Sequence, residues 1–344
     1  MNSSQPFAAS ARLAWRETLI PYVRLIAHPF LGLVLGVILV VALFPIVTNS
    51  PTLREEIFLV LMAVILASSV NIIMGYTGYV SFGNIVFFGL GGYVAFFMML
   101  TFHVHLAVAV LAGGIFAALF ATLLGIPVLR LRGAYFALAT IGINEAVRAF
   151  VNNFDPFGGS VGMNFDYSFY DAYGGAKNAL WLAYYAIVLV ALATVAASFI
   201  IKQSKFGLGL MGIREDQDAA QVLGIQPARY KVIAYAISAL FPAMAGAVFF
   251  FKNGIIEPGP AFSLTASIEG LVAVMLGGFG TVAGPIVGAV VYDRLRSFLL
   301  TSGAFSELHV AVAGVLLLLI VLFVPAGLVG ELRRRVPWLR KYTE

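Results

Sequence analysis

Apolar runs of about twenty residues recur from near position 30 to near position 325, and this recurrence decides what the chain can fold into. A hydrocarbon layer about 30 Å thick is crossed by roughly 20 helical residues, and inside it each backbone N–H and C=O must be satisfied within the protein. The runs lie near 30–47, 56–74, 82–100, 106–129, 134–151, 180–201, 231–251, 265–280, 285–301 and 309–325. The expected fold is therefore all-α, a polytopic integral membrane protein of about ten transmembrane helices. Composition points the same way: 61% of residues are hydrophobic, 11% are charged, and the mean hydropathy is +0.97, outside the soluble globular range. The first run is too long for a cleaved leader, sits behind a tail of almost thirty residues and ends in FPIVTNS without a small-residue cleavage pattern.

Ten spans place both ends on one side, and the basic residues choose which. Arg12, Arg16, Arg24, Arg130, Arg132, Lys202, Lys205, Arg214, Arg229, Lys231 and the tail from Arg333 to Lys341 fall together, whereas Arg54, Lys177 and Lys252 fall opposite. Cytoplasmic loops carry the excess of Lys and Arg, so both termini are expected in the cytoplasm. Arg148 lies near the far edge, and Arg294 and Arg296 fit this scheme poorly. The organisation read from this is a cytoplasmic tail over 1–29, a transmembrane domain over 30–329 and a basic cytoplasmic tail over 330–344. Residues 152–179 form an extracytoplasmic loop rich in Tyr and Phe, which reads as an ordered cap because a flexible linker would be polar and aromatic-poor. Residues 202–230 form the main cytoplasmic loop.

Several chemistries are excluded. The chain has no Cys, so disulfides, thiolate metal sites and cysteine nucleophiles are ruled out. No Lys follows a Gly, so there is no GxxxxGK phosphate loop, and no HExxH pair occurs. His103 and His105 flank a short outside turn, where interfacial polar residues are expected. The formal charge of +5 follows span ends and tails, which fits topology better than a nucleic-acid partner.

Three features carry the functional reading. Arg214 to Gly224, REDQDAAQVLG, is a polar stretch enclosed by apolar runs, and its Ala and Gln favour a short helix at the membrane surface, available to a separate protein. Gly75, Gly78 and Gly83 in GYTGYVSFG echo Gly277, Gly280 and Gly284 in GGFGTVAG, either a candidate internal repeat with irregular backbone at a lined cavity or a chance likeness of two glycine-rich turns. The third feature is polar residues within spans, which are costly there. Asn71, Gly75, Gly78, Ser81, Asn84, Asn144, Glu145 and Glu269 are the candidates for a substrate path. Asn71 and Asn84 either bond the backbone freed at the glycine break or touch substrate. Glu145 and Arg148, three apart, either neutralise each other or, with Asn144, make a polar face. Glu269 has no cation near in sequence, and interhelical bonding is the expectation for it.

Asp218, Ala219, Ala220 and Gly224 resemble the EAA loop of ABC importer permeases, with Asp in place of the usual Glu. Four segments occur in order: GYTGYVSFGNIVFFGLGGYVAF, LRLRGAYFALATIGINEAVR, SKFGLGLMGIREDQDAAQVLGI and SIEGLVAVMLGGFGTVAGPIVGAVV. Together, over roughly Met62 to Val291, they resemble the LivM-type permease of branched-chain amino acid ABC importers. The usual TGG before the outside loop stands here as Phe157, Gly158 and Gly159.

That resemblance implies inward transport of Leu, Ile or Val across the bacterial inner membrane, with no catalysis by this chain. ATP and Mg would be held by two partner ATPase subunits, and no cofactor by this chain. A homologous LivH-type permease and a periplasmic binding protein would complete the system. The ATPase-coupling residues it implies are Arg214, Glu215, Asp216, Asp218, Ala219, Ala220, Leu223 and Gly224. The alternatives are a urea or short-amide permease and an ion-coupled secondary carrier using Glu145 and Glu269; a membrane enzyme is disfavoured for want of an acid–base cluster.

Overall fold

A computed structural model describes residues 29–301, 311, 314–315 and 327–335. Nearly all of the N-terminal tail and of the tenth apolar run, and most of the basic C-terminal tail, lie outside the described residues. The spanning helices are α1 (Pro29–Thr48), α2 (Pro51–Thr77), α3 (Asn84–Phe102), α4 (Leu106–Val128), α5 (Ala134–Asn152), α6 (Ala176–Gln203) and α9 (Pro227–Asn253). Between α6 and α9 lie two short helices, α7 (Lys205–Glu215) and α8 (Gln217–Val222). The chain continues through α10 (Pro258–Ala261), α11 (Leu264–Gly277), α12 (Ala283–Thr301) and α13 (Gly327–Arg335).

Eight segments among the described residues are long and apolar enough to cross a bilayer: the seven spanning helices above and Pro258–Gly277, which joins α10 to α11. The ninth expected span is the helix α12, but Asp293, Arg294 and Arg296 lower its hydropathy and it does not belong to that set.

Local sequence sets the ends of these helices. Ser50 caps α2 by accepting from Leu53 N at 3.4 Å, Pro51 occupies the first turn, and Gly78 closes the helix at φ 77° by donating to Met74 O. Pro227 and Gly254 (φ 73°) bracket α9 in the same way. At the centre α9 packs against α2, α3, α4 and α6. Its contact with α3 depends on Gly246, where an added Cβ would lie 2.0 Å from Phe88 O, the small-residue solution to packing helices where lipid supplies little hydrophobic drive.

The 153–175 segment is an ordered cap. Met163–Asn164 (β1) pairs antiparallel with Ile255–Ile256 (β2). Phe165 stacks on Phe96 and Phe169 at 3.8 and 4.0 Å between ring centroids, Tyr170 Oη donates to Phe251 O at 2.8 Å, and Leu106 N donates to Tyr173 Oη at 3.1 Å. Phe157 of the altered glycine motif packs on Tyr93 and Phe97. His105 caps α4 by accepting from Ala107 N and lies against Tyr173.

The two arginines that fit the charge pattern poorly have structural partners. Arg294 pairs with Glu56 of α2 at 3.0 Å, and Arg296 pairs with Glu269 of α11 at 3.0 Å. The expected interhelical bond of Glu269 is thus an ion pair. Lys252 similarly meets Glu55.

Candidate functional site

The polar loop folds as two helices with a break. Ser204 caps α7 by accepting from Gly207 N at 3.1 Å. Asp216, in extended conformation, ends α7 and caps α8 with its own carboxylate, which accepts from Asp218 N at 2.9 Å and Ala219 N at 3.0 Å. Gly224 leaves α8 at φ 87°, a backbone state that favours glycine.

Three side chains fasten this hairpin to the membrane bundle. Arg132, between α4 and α5, forms a two-pronged pair with Asp218 at 2.9 and 3.2 Å. The hydrogen bonds and charge of Arg132 hold the Asp218 carboxyl below its ordinary value, while Asp218 raises Arg132. Lys231, 2% exposed, donates from Nζ to Leu129 O at 2.7 Å, Tyr79 Oη at 2.8 Å and Gln217 Oε1 at 3.1 Å. One ammonium therefore joins α4, the α2–α3 connection, α8 and α9, with all three N–H donors satisfied by neutral oxygens. Arg214 donates to Gly75 O at 2.8 Å and lies over the Phe279 ring at 5.1 Å.

Arg214 thereby reaches the place where the two glycine breaks meet. Asn71 is fully buried; its Oδ1 accepts from Gly280 N at 2.8 Å and its Nδ2 donates to Thr281 O at 2.9 Å. A Cβ on Gly75 would stand 2.0 Å from Asn71 Oδ1 and 2.6 Å from Gly280 N. The two motifs that echo one another in sequence are in direct contact: Asn71 lies beside the first break, yet the backbone it bonds is that of the second, at Gly280 and Thr281.

The coupling candidates divide by direction. Arg214, Asp216 and Asp218 are engaged within the chain, and of the two alanines Ala220 is buried against it while Ala219 is exposed. Glu215 is exposed beside Arg214 at 3.5 Å. Val222 and Leu223 are 88% and 82% exposed, and the space around Gly224 is open. Sequence reading passed over Val222, Gln217, Tyr79, Arg132 and Lys231 as site residues. A Lys placed four residues after Pro227, at the edge of the apolar run, is the one signal that was available.

The remaining path candidates lie elsewhere. Gly83 abuts Thr140 O of α5, Phe82 N donates to Thr140 Oγ1 at 3.1 Å, and Ile85 N donates to Ser267 Oγ of α11 at 3.3 Å. Asn144 Nδ2 donates to Phe262 O at 3.0 Å, and Phe262 stacks on Tyr93. Asn84 Oδ1 and Nδ2, Asn144 Oδ1 and Tyr93 Oη are buried without a partner among the described residues. They sit on α3 and α5 around the α10–α11 turn, a buried polar seam between those elements. Ser81 is fully buried just before this seam. Glu145 is exposed, meets Arg148 at 3.7 Å and accepts from Asn144 Nδ2 at 3.5 Å, so the buried Asn144 is joined to the exposed pair. Among the described residues no cluster of His, Asp or Glu is arranged to hold a metal.

Residues 53–321 match a family model described as the permease component of branched-chain amino acid transport systems. The chain belongs to this family. Among its relatives is the high-affinity branched-chain amino acid transport permease LivM of Escherichia coli K12, 29% identical over 80% of this chain and 69% of LivM. LivH of the same organism is 28% identical over 42% of this chain and 46% of LivH. The ribose import permease RbsC of Bacillus subtilis is 26% identical over 54% and 57%. No solved structure matches. This permease is a multi-pass membrane protein and a transport subunit, the role common to the family.

Proposed function

We propose that this permease carries branched-chain amino acids inward across a bacterial inner membrane, driven by ATP hydrolysed on two partner ATPases that grip α8 from the cytoplasm. The observation that carries this reading is α8 itself. It presents Val222 and Leu223 almost fully to solvent at its outer tip, while Arg132 and Lys231 tie its inner side to the bundle and Arg214, on the adjoining α7, reaches Gly75 at the glycine joint. Large exposed apolar residues beside a helix end mark a docking point, and the ties let a push on that point reach the glycine joint. Motion there shifts the balance of two access states, for which a few kcal/mol of differential binding suffices.

A sister permease is supported by α5. Tyr135, Leu138 and Phe150 are 74%, 64% and 59% exposed on a helix that also exposes the Glu145–Arg148 pair. Charged groups facing hydrocarbon cost about 2.5–3.5 kcal/mol each, so this face suits a protein partner and the path between subunits. A periplasmic binding protein delivering cargo to the aromatic cap completes the scheme. An ion-coupled carrier draws less support, because Glu145 and Glu269 already pair with Arg148 and Arg296.

The test is uptake into liposomes holding the copurified complex. Leucine should accumulate only with ATP inside the coupling compartment, outcompeting urea and ribose. Uptake without nucleotide, or competition by urea alone, would reject the assignment.

A further inference from the structure

We propose that the cavity between α4 and α9, beside the anchor of α8, binds the headgroup of an anionic phospholipid. The cavity holds about 530 Å³ and is lined by Ile126 and Leu129 at the end of α4, Arg130 and Arg132 just beyond it, and Arg229 and Ile233 in the first turns of α9. Two spanning helices end here, so the cavity lies where hydrocarbon gives way to the polar interface.

Charge defines the occupant. Arg130 and Arg229 are exposed, and neither forms an ion pair among the described residues. Lys231, at the cavity floor, bonds neutral oxygens alone. Asp218 is the carboxylate paired here, and it is taken up by Arg132. A basic pocket between transmembrane helices at an interface suits a lipid phosphate, and the planar guanidinium fork matches two phosphate oxygens.

The walls choose a lipid over a soluble phosphate. Ile126 and Ile233 are 52% and 49% exposed, and the apolar surface continues along α4 through Leu123 and Leu119, 68% and 66% exposed, into the bilayer zone. A headgroup held by the arginines would lay its acyl chains along that stripe. Because Gln217, Arg132 and Lys231 also line the cavity, the lipid would rest directly against the fastening of α8.

The experiment uses the chain with the subunits that copurify with it, placed in nanodiscs of phosphatidylcholine with phosphatidylglycerol and then released for native mass spectrometry. The native complex should retain phosphatidylglycerol about fivefold or more over an Arg130→Gln, Arg229→Gln double variant, reflecting the loss of two cations at the surface. Added phosphatidylglycerol should displace the bound lipid, and soluble glycerol phosphate should not. Equal retention by both proteins would overturn the proposal, as would displacement by glycerol phosphate. Loss of a partner subunit from the double variant with lipid retention unchanged would also overturn it, assigning the arginines to protein docking. Both arginines are exposed, so an unchanged thermal midpoint is expected and confirms that the variant is folded.

Discussion

Asn71 closes the contact between the two glycine breaks with one amide, donating from one end and accepting at the other. Its replacement by Leu removes the partner of Gly280 N and of Thr281 O, both part-buried, and a polar group left without a partner costs up to about 1–3 kcal/mol when buried. Asn71→Leu should therefore lower the thermal midpoint in detergent by several degrees; a midpoint equal to that of the native chain would show that the joint does not depend on this amide. Asp218 permits a pH prediction with a definite sign. Arg132 depresses its folded pKa, so the pair is fully present above the usual carboxylate value of about 3.9 and is lost as pH falls through the depressed one. Proteolytic cleavage of the 204–226 segment should be constant from neutral pH down to about pH 5 and accelerate only in stronger acid. Asp218→Asn should give the faster cleavage at neutral pH and converge with the native chain in strong acid, where the native carboxyl is itself neutral; a native cleavage rate for that variant at neutral pH would show that the charged pair does not seat α8.

At the scale of elements, α8 shows what one sequence can and cannot announce. Polar residues enclosed by apolar runs, with Ala and Gln among them, disclosed a short surface helix, because composition and helix propensity act locally. Which side of that helix turns inward was not legible, since it depends on Arg132, Tyr79 and Lys231, the first two of which lie 86 and 138 positions from their partners on α8. The outward side now makes a prediction. Val222→Asp with Leu223→Asp should abolish copurification of the ATPase while leaving the thermal midpoint unchanged, because both side chains are already exposed. Copurification at the native level would place the docking point elsewhere. Similarly, the glycine echo was visible as a pattern, yet the contact of its two copies needed α2 and the α11–α12 connection to be brought together in space.

Across the whole molecule, ion pairs attach the later helices to the earlier ones and to each other. Glu269→Leu alone would leave Arg296 unpaired at membrane depth, at a cost of about 2.5–3.5 kcal/mol. Folded yield should fall sharply, whereas Glu269→Leu combined with Arg296→Leu should recover it, because a matched apolar pair replaces a part-exposed ionic one at little cost. Equal yields for the single and double variants would mean that the pair carries no such role. The sequence by itself determined that this is a helical membrane protein, where most spans lie, and that one polar loop stands apart, because the bilayer imposes length and apolarity on each segment separately. Only the tertiary structure decided that Arg294 and Arg296 are paired, that the glycine breaks meet, and that Lys231 joins four elements. Those outcomes are set by side chains distant in sequence, whose energies exist only once the helices pack.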